Sequence, residues 1–232
     1  MAAAAAASLS TSTQKTLGRW LGALLLLRMG IGIYNNFFVL GPLTFSKNFM
    51  DRLGAYPEQL NLGIGITALN AALNLLMALL LMRLLHPRFR LWCGLYLALV
   101  LAHGVFIWLD ISAIQEMAKL SGQYISNTDG VTRAQDYAQG LLLQLNRERT
   151  HFIDLIGGFL VMLLFFWIFL KARLTPGFVF YFGLFAAACG LFNFIVQLLG
   201  VFEGSNLLML PAALSQLFTG FWLLIKSVKT TP

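Results

Sequence analysis

The chain has 232 residues, of which 59% are hydrophobic and 11% charged, with a formal net charge of +7. A soluble domain carries roughly 25% charged residues, so a water-facing globule is excluded and a lipid-facing surface is implied. Lying between apolar runs, the positive balance reads as membrane topology rather than as nucleic-acid binding, and the length fits one domain.

Residues Met1 to Gln14 are Ala, Ser and Thr without charge and read as a disordered tail ahead of a single domain over 15–229. The apolar run that follows is too long for the core of a signal peptide and has no small-residue cleavage site. Six segments are long enough to cross a hydrocarbon layer of about 30 Å, which takes about 20 helical residues. They are Leu17–Leu40, Leu60–Leu85, Arg90–Leu109, Thr150–Leu170, Pro176–Val201 and Asn206–Ile225. Backbone polar groups in lipid must be satisfied within a segment, so the expected fold is all-α, a polytopic bundle of six helices. Gly41-Pro42 ends the first, His86-Pro87 ends the second, and Thr175-Pro176 opens the fifth.

With the N-terminus inside, the cytoplasmic segments carry Lys15, Arg19, Arg83, Arg88, Arg90, Lys171, Arg173, Lys226 and Lys229 and no acid. The other side carries Lys47, Arg52, Lys119, Arg133, Arg147 and Arg149 on longer loops, and all nine acids lie on that side or in the outer part of a helix. The positive-inside rule therefore predicts both termini in the cytoplasm. The segment 111–149 is expected as a long external loop. It has a turn between Ser121-Gly122 and Asp129-Gly130, then an amphipathic helix over Arg133–Asn146 with Tyr137, Leu141 and Leu145 on one stripe. That helix reads as resting on the interface, or as a lid.

A charged side chain deep in the bilayer costs about 3 kcal/mol or more. Arg28 stands about 16 Å into the first helix, where it is either an anion site or gating charge, or a structural arginine tied to neighbouring amides. Asn70, Asn74, Ser215 and Gln216 fall at similar depth. His151 and Asp154 share one face of the fourth helix, three residues apart. Asp110 lies at the same external level, with Asn35, Asn36 and Gln197 in the same outer half. Together these predict a polar cavity in the outer half of the bundle. Helical side chains lean toward their own N-terminus, so Arg28 and Asp154 lean apart and a direct pair between them is disfavoured. Amide pairs Asn70/Asn74 and Asn193/Gln197 on the central helix of each half suggest an inverted repeat, but their depths do not match.

His103, His151, Asp154 and Asp110 are the only stock for a metal centre, without HxxxH or HExxH spacing, so no metal is expected. His103 and His151 differ in depth by about 10 Å, against a bis-histidine haem. No cofactor is expected. Cys93 and Cys189 lie inside apolar stretches with no disulfide or metal spacing. Gly30-x-Gly32 follows no strand and is not a nucleotide loop. Gly157-Gly158 and Gly190 read as small residues that let helices approach, and Trp20, Trp92, Trp108, Trp167 and Trp222 sit toward helix ends as interfacial anchors.

Three stretches carry a family likeness. They are Leu79–Pro87 at the end of the second helix, His151–Phe165 with Leu174-Thr175-Pro176, and Leu210–Gln216 with Trp222–Lys226. In these the chain resembles domain of unknown function 4386, an uncharacterised group of bacterial membrane proteins. The resemblance implies a bacterial inner membrane and no catalytic residue. It also implies an acid, in many members, where Gln216 stands here. The function expected is binding or moving a small molecule or lipid through the outer polar cavity, with the lipid bilayer as the surrounding partner. The alternatives are an intramembrane enzyme acting on lipid and an accessory subunit of a membrane complex.

Overall fold

The computed structural model describes residues 9–85, 89–201 and 204–228. The expected tail over 1–8, the His86-Pro87 stop, and Arg88 and Lys229 of the charge census lie outside them. Six helices are long and apolar enough to cross a membrane. The first, α1 (Thr11–Tyr34), runs into a π-helical stretch (Asn35–Val39) and a short α2 (Gly41–Thr44). A small helix α3 (Phe49–Ala55) leads to α4 (Pro57–Leu85). Then come α5 (Arg90–Ser126), α6 (Gly130–Ala172) and α7 (Gly177–Leu198), and a 3-10 turn (Asn206–Met209) opens α8 (Leu210–Lys226). The protein is an all-α, multi-pass membrane bundle.

Two expectations at segment ends are corrected. Helix α1 begins at Thr11, capped by Ser10 Oγ accepting from the Thr13 amide at 3.2 Å, so the residues before Lys15 are not all tail. The segment 111–149 is not a loop. It continues α5 and begins α6, with the turn confined to Asn127–Asp129. No proline lies between Pro87 and Pro176, and a glycine such as Gly122 or Gly140 costs a helix only about 1 kcal/mol, so nothing stops either ladder. At 37 and 43 residues, α5 and α6 are about 55 and 64 Å long and overshoot a hydrocarbon layer of about 30 Å. Their excess forms a helical hairpin beyond one end of the bundle.

Against that hairpin pack α2 and α3, around a separate apolar cluster of Leu43, Phe49, Met50, Leu53, Ile114 and Met117. Ser121 Oγ donates to the Met50 carbonyl. The main core lies within the span. Leu21, Leu25, Met77, Leu81, Tyr96, Phe165, Phe166, Phe169 and Leu223 are buried there.

Packing follows chain order and then closes: α1 touches α4, α4 touches α5, and so on round to α8, which packs back on α1. An even number of crossings leaves both chain ends on one side. There Ser227 Oγ donates to the Lys15 carbonyl at 2.6 Å. The closing seam needs Gly22, where an added Cβ would lie 2.7 Å from both the Gly220 carbonyl oxygen and the Leu224 amide nitrogen. Around the outside, Leu27, Leu69, Leu101, Val105, Phe185, Phe192 and Phe218 are exposed, as a lipid-facing surface requires.

Two outcomes test this packing. Gly22→Ala should cost about 1–3 kcal/mol by overpacking against backbone that cannot yield. Gly30→Ala, with nothing nearby, should be neutral or slightly stabilising. SDS- or heat-induced unfolding in bicelles reads both, and equal effects would refute the close α1–α8 contact. At the hairpin turn, Asp129 Oδ2 accepts from the Thr132 hydroxyl at 2.7 Å and its amide at 2.9 Å. These donors hold the carboxyl below its ordinary pKa. A depressed folded pKa means the cap contributes above the unfolded carboxyl pKa and is lost as pH falls through the folded one. Hydrogen exchange in the first turn of α6 should therefore gain an acid-side acceleration in wild type that Asp129→Asn lacks.

Candidate functional site

The candidate residues do not share one cavity. The structure separates them into a central site, a seam leading to it, a charged column on α5 and α6, and a cap on α7.

Arg28 sits on α1, its guanidinium Nη1 donating to Asn74 Oδ1 of α4 at 2.6 Å. It lines a small central cavity with Leu25, Met77, Tyr96, Val161, Met162, Phe165, Phe166 and Gln216. Five of the six spanning helices contribute, so the cavity lies inside the ring, and the space left among the side chains is water-sized. Among the described residues Arg28 is the only charged one in the lining. No carboxylate among the described residues pairs with it. Gln216 reaches only the Met162 sulfur, 3.9 Å from its Nε2. Ser215, expected at this depth, is turned into its own helix, its Oγ donating to the Ala212 carbonyl at 3.0 Å.

From Arg28 a polar seam runs along α1 and α4 toward the hairpin end. Arg28, Gly32 and Asn35 occupy one face of α1, while Asn74, Asn70 and Thr67 run antiparallel on α4. Asn35 Nδ2 donates to Thr67 Oγ1 at 2.9 Å and to the Gly63 carbonyl at 3.1 Å. Gly32 makes room for Asn70, whose Nδ2 would lie 3.3 Å from a Cβ there. The π-helical stretch ends the seam. Pro42 has no N–H for the Phe38 carbonyl, and Leu40 bonds back to the Asn35 carbonyl instead, at 2.8 Å. Gln59 Nε2 answers the freed carbonyls, 2.9 Å from Val39 and 3.4 Å from Phe38. Two buried acceptors on this seam, Asn35 Oδ1 and Asn70 Oδ1, have no protein partner. Buried polar atoms left so are filled by water or a ligand as a rule. Asn36 is exposed and takes no part in the seam.

The charged column lies where α5 and α6 face each other. Asp110 is 3.3 Å from Arg147 Nε and 3.4 Å from His151 Nδ1. Asp110 and Arg147 are both almost fully buried, and the Arg147 guanidinium stacks 4.4 Å above the Phe45 ring. About 10 Å deeper, two helical turns away, His103 Nε2 lies 2.9 Å from Asp154 Oδ1. The 2.9 Å and 3.3 Å contacts are within ion-pair range but are not aligned as hydrogen bonds, since Asp154 Oδ1 and Asp110 Oδ1 lack a properly directed donor. Gly157 and Gly158 seat the imidazole: a Cβ on Gly157 would stand 3.0 Å from the His103 ring. Asp154 is thus committed to His103, and no ion pair joins it to Arg28. Among the described residues no three His, Cys, Asp or Glu side chains converge as metal ligands.

Sequence reasoning grouped Asp110, His151 and Asp154 but left out Arg147 as the partner of Asp110 and His103 as the partner of Asp154. The signal was present. Both pairs, 103 with 154 and 110 with 147, are symmetric about the Asn127–Asp129 turn, as an antiparallel hairpin demands. Reading 111–149 as a loop hid that symmetry. Asn193 and Gln197 prove to be local: Asn193 Oδ1 accepts from the Ser205 amide at 2.8 Å, and Gln197 Nε2 donates to the Asn193 carbonyl at 3.1 Å. They fasten the α7–α8 turn.

If the column is an ion pair in a dry setting, cutting one partner should cost more than removing both. His103→Leu strands a buried carboxylate and should destabilise by about 3–5 kcal/mol. Adding Asp154→Leu should recover part of that loss, with a coupling of about 1–3 kcal/mol. Additive effects in bicelle unfolding would show that the two groups do not interact.

No curated protein and no solved structure matches the chain. A family model, described as Domain of unknown function (DUF4386), matches residues 20–227. The match begins at Trp20 within α1 and runs to Ser227, past the end of α8, and the chain belongs to the DUF4386 family.

Proposed function

We propose that the protein binds, and passes along the α1–α4 seam, a small polar solute that enters from the hairpin end and is held at Arg28. The observation behind this is the continuity of the seam. Gln59, Asn35 with Thr67, and Asn70 succeed one another toward Arg28 and Asn74, with two buried acceptors left unfilled on the way. Placing polar side chains in hydrocarbon is costly. The two acceptors on the seam that no protein donor reaches are positions where water or a polar solute can bind.

The charge pattern supports an orientation for this route. Lys15, Arg19, Arg83, Arg90, Lys171, Arg173 and Lys226 lie toward the end that holds both termini, and the described acids lie toward the hairpin. By the positive-inside rule the termini face the cytoplasm and the solute enters from outside. The family likeness supports a bacterial inner membrane as the location in this reading. A second reading rests on the His103–Asp154 contact. An imidazole beside a carboxylate in the outer half of the bilayer is an acid–base couple, as an intramembrane enzyme acting on lipid would use.

Cysteine accessibility tests the route. With Cys93 and Cys189 replaced by Ala, single cysteines at Asn35, Asn70 and Thr67 should react with a small charged thiosulfonate added on the hairpin side of oriented vesicles. Cysteines at the lipid-facing Leu69 and Leu76 should stay unlabelled. Labelling restricted to the Gln59 level, with Asn70 silent, would close the seam and remove the proposal.

A further inference from the structure

We infer that the central cavity is a site for a small monovalent anion, held by the Arg28 guanidinium. The inference rests on the solute-binding reading above and names the class of solute.

Three observations on the site point the same way. The first is charge. Arg28 lies well inside the span and no carboxylate among the described residues pairs with it. Among the described residues the buried acids of the interior have close contacts of their own, Asp110 with Arg147 and Asp154 with His103. A lone guanidinium in a low-dielectric interior attracts a counter-ion more strongly than one in water.

The second is the donor count. A guanidinium has five N–H groups in a fixed fork and no acceptor, and here one of them is spent on Asn74. Gln216 Nε2 lines the same cavity with only a long contact to a thioether, a weak acceptor. Tyr96, also in the lining, adds a phenol. The surroundings offer donors and no competing carboxylate, which favours an anion over a cation.

The third is size. The vacant space is water-sized and walled by Leu25, Met77, Val161, Phe165 and Phe166. Chloride, bromide or formate suits such a space. Sulfate, phosphate and lipid headgroups do not, and a second negative charge would have no second cation to meet it.

The test uses the full chain in nanodiscs at constant ionic strength, with gluconate as the large, inert reference anion. Chloride, bromide and formate should each raise Tm by about 3 °C at tenfold saturation. Sulfate and phosphate should not. Arg28→Gln should abolish the rise. Gln216→Glu should abolish it too, by supplying the carboxylate internally, and should raise the anion-free Tm. The size series on wild type alone decides the matter if Arg28→Gln fails to fold. Equal shifts with all anions, or none with any, would overturn the anion site. Should Asn70→Cys be labelled from the hairpin side while no anion shifts Tm, the seam stands and the solute is neutral. Should small anions shift Tm while the seam stays unlabelled, the site stands and the route is elsewhere.

Discussion

A charge in hydrocarbon is stable only beside an opposite charge, a set of dipoles or water. That constraint governs where the helices of this bundle can sit. The α5–α6 contact is held in register by Asp110 with Arg147 and His103 with Asp154, two turns apart. A slip of one residue would point both carboxylates away from their partners. With that register set, α4 and α7 pack on either side, and α1 must turn Arg28 toward Asn74 rather than toward lipid. Apolar contact then fills the remaining space, with the α6 rings of Phe166 and Phe159 lying over Gly183 and Gly190 of α7.

Much of this was legible in the residues. Length and hydropathy located six crossings, because a bilayer admits few backbone solutions. The depth of Arg28 and its amide neighbours followed from counting at 1.5 Å per residue. Rotation about the helix axes was not legible. Helices such as α4 and α7 carry apolar residues on every face beside their few amides, so their apolar pattern does not say which stripe meets lipid and which meets protein. That is why Gln197 was grouped with the outer cavity although it bonds back to its own helix, where Asn193 fastens the turn. The segment 111–149 failed for another reason. Its polarity is that of a loop, yet polarity marks only where water begins, not where a helix ends. Without proline, a helix leaving the membrane simply continues.

The central site and the charged column differ in what they can do. The column is closed: its groups face one another, and the ring of Phe45 covers Arg147. It gives the hairpin a fixed register and connects it to the segment before α3. The seam is open-ended. Its amides satisfy one another only in part, and the proline-induced π-helical stretch places freed carbonyls at its mouth. Local departures of this kind concentrate at functional positions.

The closure of the ring bears on how the protein is made. α1 emerges first but meets α8, the last helix, along the seam at Gly22. During synthesis Arg28 therefore enters the bilayer early. It gains Asn74 when α4 follows, and must wait for Gln216 until nearly the whole chain has left the ribosome. Until then the cavity lacks one wall, and lipid or water stands in for α8. A chain halted before residue 210 would hold Arg28 by Asn74 alone, with the α8 side of its cavity open.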